Sequence, residues 1–269
     1  MKKIAASFNG LYCVHLELTS RCNKDCWMCG RRKIERDYPE TAAGYGDMDF
    51  ALVKKISQQL PEGIVVQFHN NGEPLLYPRF KESIRLFKKQ IKCVDTNAKL
   101  IVEKADEIID NLDTITISVI ENDPDSDTQY ELVKKFLKIK GSRKPNVIYR
   151  CLGNVDTGRW KELDGILATR ILHNPLGSFK YEKAPTVPEI GICLEILNHM
   201  AISRFGKVSI CVRFDPKGIG VIGDVNLTSL SDIWKGKLRR EWIKYHIEGR
   251  RDKIPLCSHC DFWGVPTGW

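Results

Sequence analysis

The sequence predicts an α/β protein: a partial (β/α)6 barrel followed by a small α+β domain made of a β-hairpin and a helix. Strand and helix patterns alternate about six times in the first part of the chain, which indicates parallel strands joined by helical crossovers. Six units are too few to close an eight-stranded barrel, so the barrel should stay open. After a stretch that contains three prolines, a hairpin pattern replaces the alternation. We predict a barrel over residues 1–174, a linker over 175–192 and a second domain over 193–269.

The elements of the barrel follow from the spacing of apolar residues. Phe50, Val53 and Ile56 keep helical spacing, and either Asp47 or Asp49 can cap the helix. Residues 31–46 are polar and contain glycine, so a loop is predicted there. The predicted strands cover 13–18, 64–68, 92–97, 114–118, 146–151 and 169–172, and the predicted helices cover 50–60, 80–91, 100–112 and 130–141.

The second domain shows a different pattern. Two alternating runs on either side of a turn at 204–206 predict a hairpin. Residues 232–247 then keep helical spacing, and Leu238, Trp242 and Tyr245 form their apolar stripe. Basic residues occupy many other positions of this segment, which predicts a surface helix with one face on a core.

Charge and composition narrow the functional classes. The chain has 269 residues, with 42 Lys and Arg against 34 Asp and Glu, and its net charge of +8 is spread along the sequence. A nucleic-acid substrate is therefore not expected. The sequence shows no membrane-spanning apolar run and no signal peptide, so we expect a cytoplasmic protein. In that reducing compartment, ten cysteines indicate metal binding or catalysis rather than disulfides.

The first cysteine motif follows the first predicted strand. Cys22, Cys26 and Cys29 have the spacing Cys-x3-Cys-x2-Cys. Three thiolates on one short loop can hold three corners of a [4Fe–4S] cubane, which leaves the fourth iron open to a ligand. A zinc loop is the simpler alternative.

Polar residues at the ends of the next predicted strands should gather around that motif. Asn71, Gly72 and Glu73 follow the second strand, Thr96 and Asn97 end the third, and Ser118 ends the fourth. In parallel α/β folds the functional loops lie at the carboxyl ends of the strands. The sequence therefore predicts one site over the three cysteines.

The second half of the chain carries an independent cysteine signal. Cys193 and Cys211 flank the predicted hairpin, and Cys257 and Cys260 follow the last predicted helix. By their residue types these four thiols could hold zinc or an iron–sulfur cluster, since both accept four thiolates. The remaining cysteines occupy strands, and Cys151 ends the fifth strand, where its thiol could return a hydrogen atom to a substrate radical.

Residues 13–172 resemble the radical S-adenosylmethionine (SAM) superfamily, on the three-cysteine motif and the loops described above. The resemblance implies that the three cysteines bind a [4Fe–4S] cluster and that SAM binds its open iron and yields a 5′-deoxyadenosyl radical. The sequence departs from the family pattern at two positions. Met28 stands where the family usually has an aromatic residue near the adenine, and Asn71 replaces the first glycine of the family's Gly-Gly-Glu loop. The implied SAM contacts are Met28, Asn71, Gly72, Glu73, Thr96, Asn97 and Ser118.

The chain from Cys193 onward resembles the SPASM/Twitch extension of radical SAM enzymes, on its cysteine spacing and on residues 222–234. The resemblance implies an auxiliary [4Fe–4S] cluster bound by Cys193, Cys211, Cys257 and Cys260, which could accept an electron from the substrate. The architecture is similar to that of aminocyclitol dehydrogenases with a Twitch domain. This implies alcohol oxidation on a small molecule and an external flavodoxin- or ferredoxin-type electron donor.

Three alternatives stay open. An epimerase would use Cys151 as hydrogen donor, a peptide- or protein-modifying enzyme would share the same cofactors, and a non-enzymatic zinc or iron–sulfur module would bind metal without SAM. The candidate substrate contacts are Arg150, His69 and Arg213.

Overall fold

The computed structural model describes residues 6–170, 172, 180, 192–212, 215, 217–258 and 260. Within these residues the strands form one sheet of nine, in the order β6-β5-β4-β3-β2-β1-β7-β8-β9. The strands are β1 (Cys13–Leu16), β2 (Val65–Phe68), β3 (Ile91–Thr96), β4 (Thr114–Ile120), β5 (Asn146–Leu152), β6 (Ile166–Arg170), β7 (His199–Ile202), β8 (Lys207–Ser209) and β9 (Val221–Asp224).

The helices follow the strands, as crossover connections require. Asp49 caps α3 by accepting a hydrogen bond from the backbone of Ala51 at 2.6 Å, as the sequence predicts. Gly141 ends α6 with a φ of +57°, a conformation that favours glycine. The α-helices are α1 (Arg31–Asp37), α2 (Pro39–Ala43), α3 (Phe50–Ser57), α4 (Phe80–Leu86), α5 (Ala105–Ile108), α6 (Ser126–Lys140), α7 (Leu194–Asn198), α8 (Leu230–Trp234) and α9 (Lys237–Ile247).

The six strands of the partial barrel pair in parallel and in chain order. Successive side chains point to opposite faces of the sheet. One face is apolar, and residues such as Val14, Phe68 and Ile117 on it belong to the main hydrophobic core. The other face, which we call the inner face, carries polar residues at the matching register positions, among them His15 and Asp95. The barrel fold is confirmed, and its inner face is available for chemistry.

The C-terminal strands extend the barrel sheet. β7 pairs in parallel with β1, so that His199 lies beside Cys13. β7 and β8 form the predicted antiparallel hairpin, and β9 adds to it. A second apolar cluster, which includes Ile196, Ile210 and Trp242, lies under this region. The two cysteine-bearing parts of the chain therefore share one sheet.

Some predicted elements are wrong. The predicted loop over 31–46 contains α1 and α2, whose single buried apolar residue, Ile34, gave no periodic signal. Its helical turns are tied instead by ion pairs such as Lys33 to Asp37 at 3.0 Å. Ile91 opens β3 rather than closing the preceding helix, and its side chain is exposed.

The C-terminal helix also differs from its prediction. It breaks at Gly236, which precedes α9 in a non-helical conformation. Leu238 is exposed, and the buried face of α9 is formed by Arg239, Trp242 and His246. Arg239 donates hydrogen bonds to backbone carbonyls of α7, which is why a charged residue can occupy the buried face.

Several predicted boundaries shift or fall outside the described residues. The sixth strand lies at Ile166–Arg170, earlier than predicted, and the helix predicted over 100–112 is limited to Ala105–Ile108. The predicted linker lies outside the described residues except for residues 180 and 192. Among the described residues, no helix is long and apolar enough to cross a membrane.

Candidate active site

The first cysteine set, Cys22, Cys26 and Cys29, lies on the loop after β1. A turn brings two of its members together, because the amide of Cys29 donates to the carbonyl of Cys26 at 3.1 Å. Burial and the neighbouring Cys29 and Cys22 thiols together raise the pKa of Cys26 to about 12. Thiols so gathered resist ionisation unless a cation compensates them. The donor set therefore fits an iron–sulfur cluster.

Two buried cations, Lys24 within this loop and Arg31 just after it, hold the loop in place. Lys24 donates to Asp123 at 2.8 Å and to Asp125 at 3.0 Å, which ties the loop to the turn after β4. Arg31 donates to the backbone carbonyls of Ser20 and, at 3.2 Å, of Asn71. Their partners lie far away in sequence, so spacing alone could not reveal them.

Gly72 allows the loop after β2 to pack directly on the cysteine loop. A Cβ at this position would lie 2.2 Å from the carbonyl oxygen of Thr19 and 2.7 Å from that of Arg21. The amide of Glu73 donates to the same Arg21 carbonyl at 2.8 Å. Only glycine permits this approach, so the predicted loop is brought against the first cysteine set.

The Glu73 carboxylate ties the same loop to the end of β3. It is buried and accepts hydrogen bonds from the Thr96 hydroxyl and the Asn97 amide, each at 2.8 Å, and from the amide of Leu75 at 3.2 Å. Burial raises its pKa to about 7, although these hydrogen bonds act in the opposite direction. The carboxylate therefore holds the loop in place through its hydrogen bonds to Thr96, Asn97 and Leu75.

Asn97 connects this group to the cysteines. Its side-chain nitrogen lies 3.9 Å from the sulfur of Cys22 and 2.9 Å from the Asn23 side-chain oxygen. The structure thus brings together the first cysteine set and the predicted residues Asn71, Gly72, Glu73, Thr96 and Asn97.

The other two predicted SAM contacts lie at the edges of this group. Ser118 is on the inner face of β4, paired in register with Arg150. Met28 is half-buried between the exposed Trp27 and Cys29. The Trp27 indole donates to the carbonyl of Glu121 at 3.0 Å, which places this part of the cysteine loop beside the end of β4.

A charged network lies deeper on the inner face. Asp95 accepts hydrogen bonds from Arg150 at 2.9 Å and from Gln67 at 2.6 Å, and His69 Nδ1 lies 3.7 Å away. Burial alone would raise the pKa of Asp95, but Arg150 and His69 outweigh it and hold the pKa below its usual range. Two of the three candidate substrate contacts are therefore neighbours, whereas Arg213 lies outside the described residues.

Cys151 lies away from this network. It directly follows Arg150 on β5, so its side chain points to the opposite face of the sheet. There it is fully buried in the main hydrophobic core. Strand alternation thus places its thiol away from the inner face, which argues against the predicted role of hydrogen donor.

The second cysteine set, Cys193, Cys211, Cys257 and Cys260, is assembled from separate segments. Cys193 precedes α7, Cys211 follows β8, and the amide of Cys260 donates to the Cys257 carbonyl at 3.2 Å. Burial and the nearby Cys211, Cys193 and Cys260 thiols together raise the pKa of Cys257 to about 12. The four predicted ligands are therefore close together, as a four-thiolate cluster requires.

A cavity of about 310 Å³ is lined by residues from both cysteine-bearing parts of the chain. Ser20 and Asn71, which belong to the loops around the first set, line one side, and Cys211 of the second set lines the other. The Glu17 carboxylate lies in its wall and accepts hydrogen bonds from Asn71 at 3.1 Å and from the backbone of Arg204 at 2.9 Å. The cavity has the size and polar lining of a small-molecule site.

Comparison with protein families identifies both halves of the chain. A model described as the radical SAM superfamily matches residues 16–152, half of the chain. A model described as an iron–sulfur cluster-binding domain, SPASM, matches residues 193–261.

Two single proteins are similar to this chain, one over nearly its whole length and one over part of it. The chain is 25% identical over 264 residues to the S-adenosyl-L-methionine-dependent 2-deoxy-scyllo-inosamine dehydrogenase of Niallia circulans, covering 94% of each protein. It is 32% identical over 112 residues to a tungsten-containing aldehyde ferredoxin oxidoreductase cofactor-modifying protein of Pyrococcus furiosus, covering 40% of this chain and 29% of the relative.

Solved structures share the fold over nearly the whole chain. BtrN in complex with AdoMet and 2-DOIA has a TM-score of 0.67 and 21% identity, with 96% of this chain and 95% of BtrN covered. SuiB of Streptococcus suis bound to S-adenosylmethionine has a TM-score of 0.59 and 12% identity, with 94% of this chain and 72% of SuiB covered.

Proposed function

This chain belongs to the radical SAM superfamily, and on that premise we propose that it oxidises a secondary alcohol of a sugar or aminocyclitol to a ketone. The observation that carries the proposal is the cavity, which is lined by Ser20 and Asn71 from the loops around the first cysteine set and by Cys211 of the second set. A substrate held there would lie between the site of hydrogen abstraction and an electron acceptor. The similarity to an aminocyclitol dehydrogenase over 94% of both chains supports this reaction class.

The cofactors are S-adenosylmethionine and two [4Fe–4S] clusters, and each fits residues of this chain. We propose that Cys22, Cys26 and Cys29 hold the SAM-binding cluster, and that Cys193, Cys211, Cys257 and Cys260 hold the auxiliary one. When bound, these groups supply a 5′-deoxyadenosyl radical for hydrogen abstraction and an acceptor for the substrate's remaining electron. The residues proposed to contact SAM are Met28, Asn71, Gly72, Glu73, Thr96, Asn97 and Ser118.

The chain's own residues position these groups and the substrate. Gly72 and Glu73 hold the loop after β2 against the cysteine loop. The Glu73 carboxylate accepts a hydrogen bond from Thr96, and the Glu73 amide donates one to the carbonyl of Arg21. Glu17 presents a buried carboxylate in the cavity wall, which can pair with the ammonium of an amino sugar or aminocyclitol. Arg150 and His69 lie on the inner face outside the lining of this cavity, and we propose them as contacts for substrate hydroxyls that point toward the sheet.

The test is deuterium transfer. The anaerobically reconstituted holoenzyme is incubated with SAM, dithionite and an aminocyclitol deuterated at the carbinol carbon. The expected result is one deuterium in each 5′-deoxyadenosine and one ketone per SAM consumed. SAM cleavage with neither deuterium transfer nor ketone across a panel of aminocyclitols and sugars would overturn the substrate class but leave the family membership intact.

The position of Cys151 bears on the epimerase alternative. An epimerase must return a hydrogen atom to the substrate, and this thiol lies in the apolar core. We therefore expect Cys151→Ala to leave the product unchanged. If that variant instead stopped turnover of a labelled sugar while still cleaving SAM, an epimerase would replace the dehydrogenase. Peptide modification would instead show transfer of deuterium from a labelled peptide.

The electron for the SAM-binding cluster is proposed to come from a flavodoxin- or ferredoxin-type protein, in a cytoplasmic setting. Replacement of dithionite by a reduced flavodoxin should sustain 5′-deoxyadenosine formation. If neither flavodoxin nor ferredoxin supports turnover in the dithionite-active enzyme, this class of donor is wrong.

A further inference from the structure

A third group of metal-ligating side chains lies on the inner face, at the end of the sheet remote from the first cysteine set. Cys13 and His15 stand two residues apart on β1, so both point to this face. His199 opens β7 and is paired in register with Cys13. One ligand atom from each of the three residues lies within 4.8 Å of the other two.

The residue types and spacing suit a zinc ion. Zinc in proteins prefers sulfur and imidazole nitrogen, at about 2.3 Å and about 2.0 Å in a tetrahedral arrangement. Ligand atoms in such a site stand about 3.3–3.6 Å apart. Side-chain rotations that move each ligand atom by about an ångström would bring the three atoms to this spacing. The sheet holds the three Cα atoms, and only the side chains need to move.

The polar atoms around the group favour a ligand as well. His15 Nδ1 is buried and makes no hydrogen bond within the part of the chain that the structure describes. His199 Nδ1 lies 2.9 Å from a carboxylate oxygen of Glu195, which leaves its other ring nitrogen for a metal. A carboxylate behind a ligating histidine is the usual means of orienting such a ring.

We propose that Cys13, His15 and His199 bind one zinc ion that fastens β1 of the barrel to β7 of the C-terminal region. Binding replaces the thiol proton of Cys13 with a sulfur–zinc bond, and the proton passes to solvent. Water takes the fourth position. The site involves no change of oxidation state, and its ligands come from two paired strands, so the ion acts as a cross-link between them.

Zinc content and X-ray absorption test the proposal. The holoenzyme with both clusters reconstituted is equilibrated with zinc sulfate, desalted and analysed for metals. The expected result is about one zinc per chain beside the iron, with a zinc-edge spectrum showing one sulfur at about 2.3 Å and nitrogen or oxygen at about 2.0–2.1 Å. A shell of sulfur alone would place the zinc on cluster cysteines, and that result, like a chain without zinc, would overturn the proposal.

Matched variants separate this site from the clusters. Cys13→Ser and His199→Gln should lose the zinc and keep the iron, whereas Cys151→Ser, which changes a buried strand cysteine of the opposite face, should keep both. A zinc chelator should lower the Tm of the wild type and leave that of Cys13→Ser unchanged. If Cys13→Ser retains a full equivalent of zinc, the assignment is wrong. Should the variants fail to fold, the spectrum of the wild type still decides.

Discussion

The two cysteine sets are built in opposite ways. The first lies on eight consecutive residues, 22–29, and is held by hydrogen bonds from neighbouring loops, such as that of Asn97 to Asn23 at 2.9 Å. The second draws its members from three separate segments and packs on an apolar cluster that includes Trp242 and Ile254. The first set is therefore specified by local sequence, whereas the second depends on the tertiary fold.

This difference has a functional counterpart. Around the first set, loops after β2 and β3 bring polar backbone and side-chain groups to the cysteines, as a site for a changing ligand requires. Around the second, four thiols close on one another against apolar residues, which suits a group that only exchanges electrons. Four sets of substitutions test this difference between the two cysteine sets.

Loss of the first set should have the largest effect. Cys22→Ala, Cys26→Ala and Cys29→Ala combined should abolish 5′-deoxyadenosine formation, because no open iron remains for SAM, and should lower iron from about eight to about four per chain. Chromatography of the reaction and iron analysis give both readouts. Continued SAM cleavage by the triple variant would contradict the assignment of roles.

Loss of the second cysteine set should allow SAM cleavage without formation of the ketone product. Cys257→Ala with Cys260→Ala should also leave about four iron per chain, but SAM cleavage should continue while the ketone falls by more than tenfold, because the substrate's electron has no acceptor. The ratio of ketone to 5′-deoxyadenosine is the measurement. An unchanged ratio would show that the second set takes no part in the oxidation.

Gly72→Ala should act on the first set alone. The added methyl group would lie 2.2 Å from the Thr19 carbonyl oxygen, so the loop must move, and a shift of this kind can cost about a hundredfold in rate. The rate of SAM cleavage should fall by about ten- to a hundredfold while the auxiliary cluster is retained. The control is Gly158→Ala, whose nearest crowding atom is a side-chain oxygen at 3.3 Å. Equal losses in both variants would remove the argument for close loop packing.

Lys24→Met should have the smallest effect, on stability. It leaves the carboxylate of Asp123 buried beside Asp125 without its cation, which costs about 3 kcal/mol. The Tm should therefore fall by several degrees, as scanning calorimetry can measure. Lys134→Met removes an exposed pair with Glu131 and should change stability by less than about 0.5 kcal/mol. A Lys24 variant as stable as the Lys134 variant would contradict the view that this ion pair anchors the cysteine loop.

The same distinction between local and distant contacts explains what the sequence could reveal. The barrel strands and the capping role of Asp49 follow from short-range patterns and are confirmed. α1 was missed because Ile34 is its only buried apolar residue and its other buried side chain, Arg31, is charged. Apolar spacing predicts Leu238 on the core, because it cannot show that Arg239 donates hydrogen bonds to the carbonyls of α7.

The predicted site divides along the same line. Asn71, Gly72 and Asn97 could be placed near the cysteines because the ends of parallel strands share one edge of the sheet. The cations that fix the loop, Lys24 and Arg31, bind groups remote in sequence and gave no signal. The position of Cys151 at the end of β5 predicts a place at the rim of the barrel. Alternation along the strand instead turns its side chain to the apolar face of the sheet.

The parallel pairing of β1 with β7 also has a consequence for folding. His199 meets Cys13 only after the whole barrel segment between them has been synthesised, so this contact closes a long loop and carries a high entropic cost. The barrel strands, each paired with its neighbour in the chain, can form earlier. Maturation should then be ordered in time, with the loop of the first cysteine set in place before β7 reaches β1.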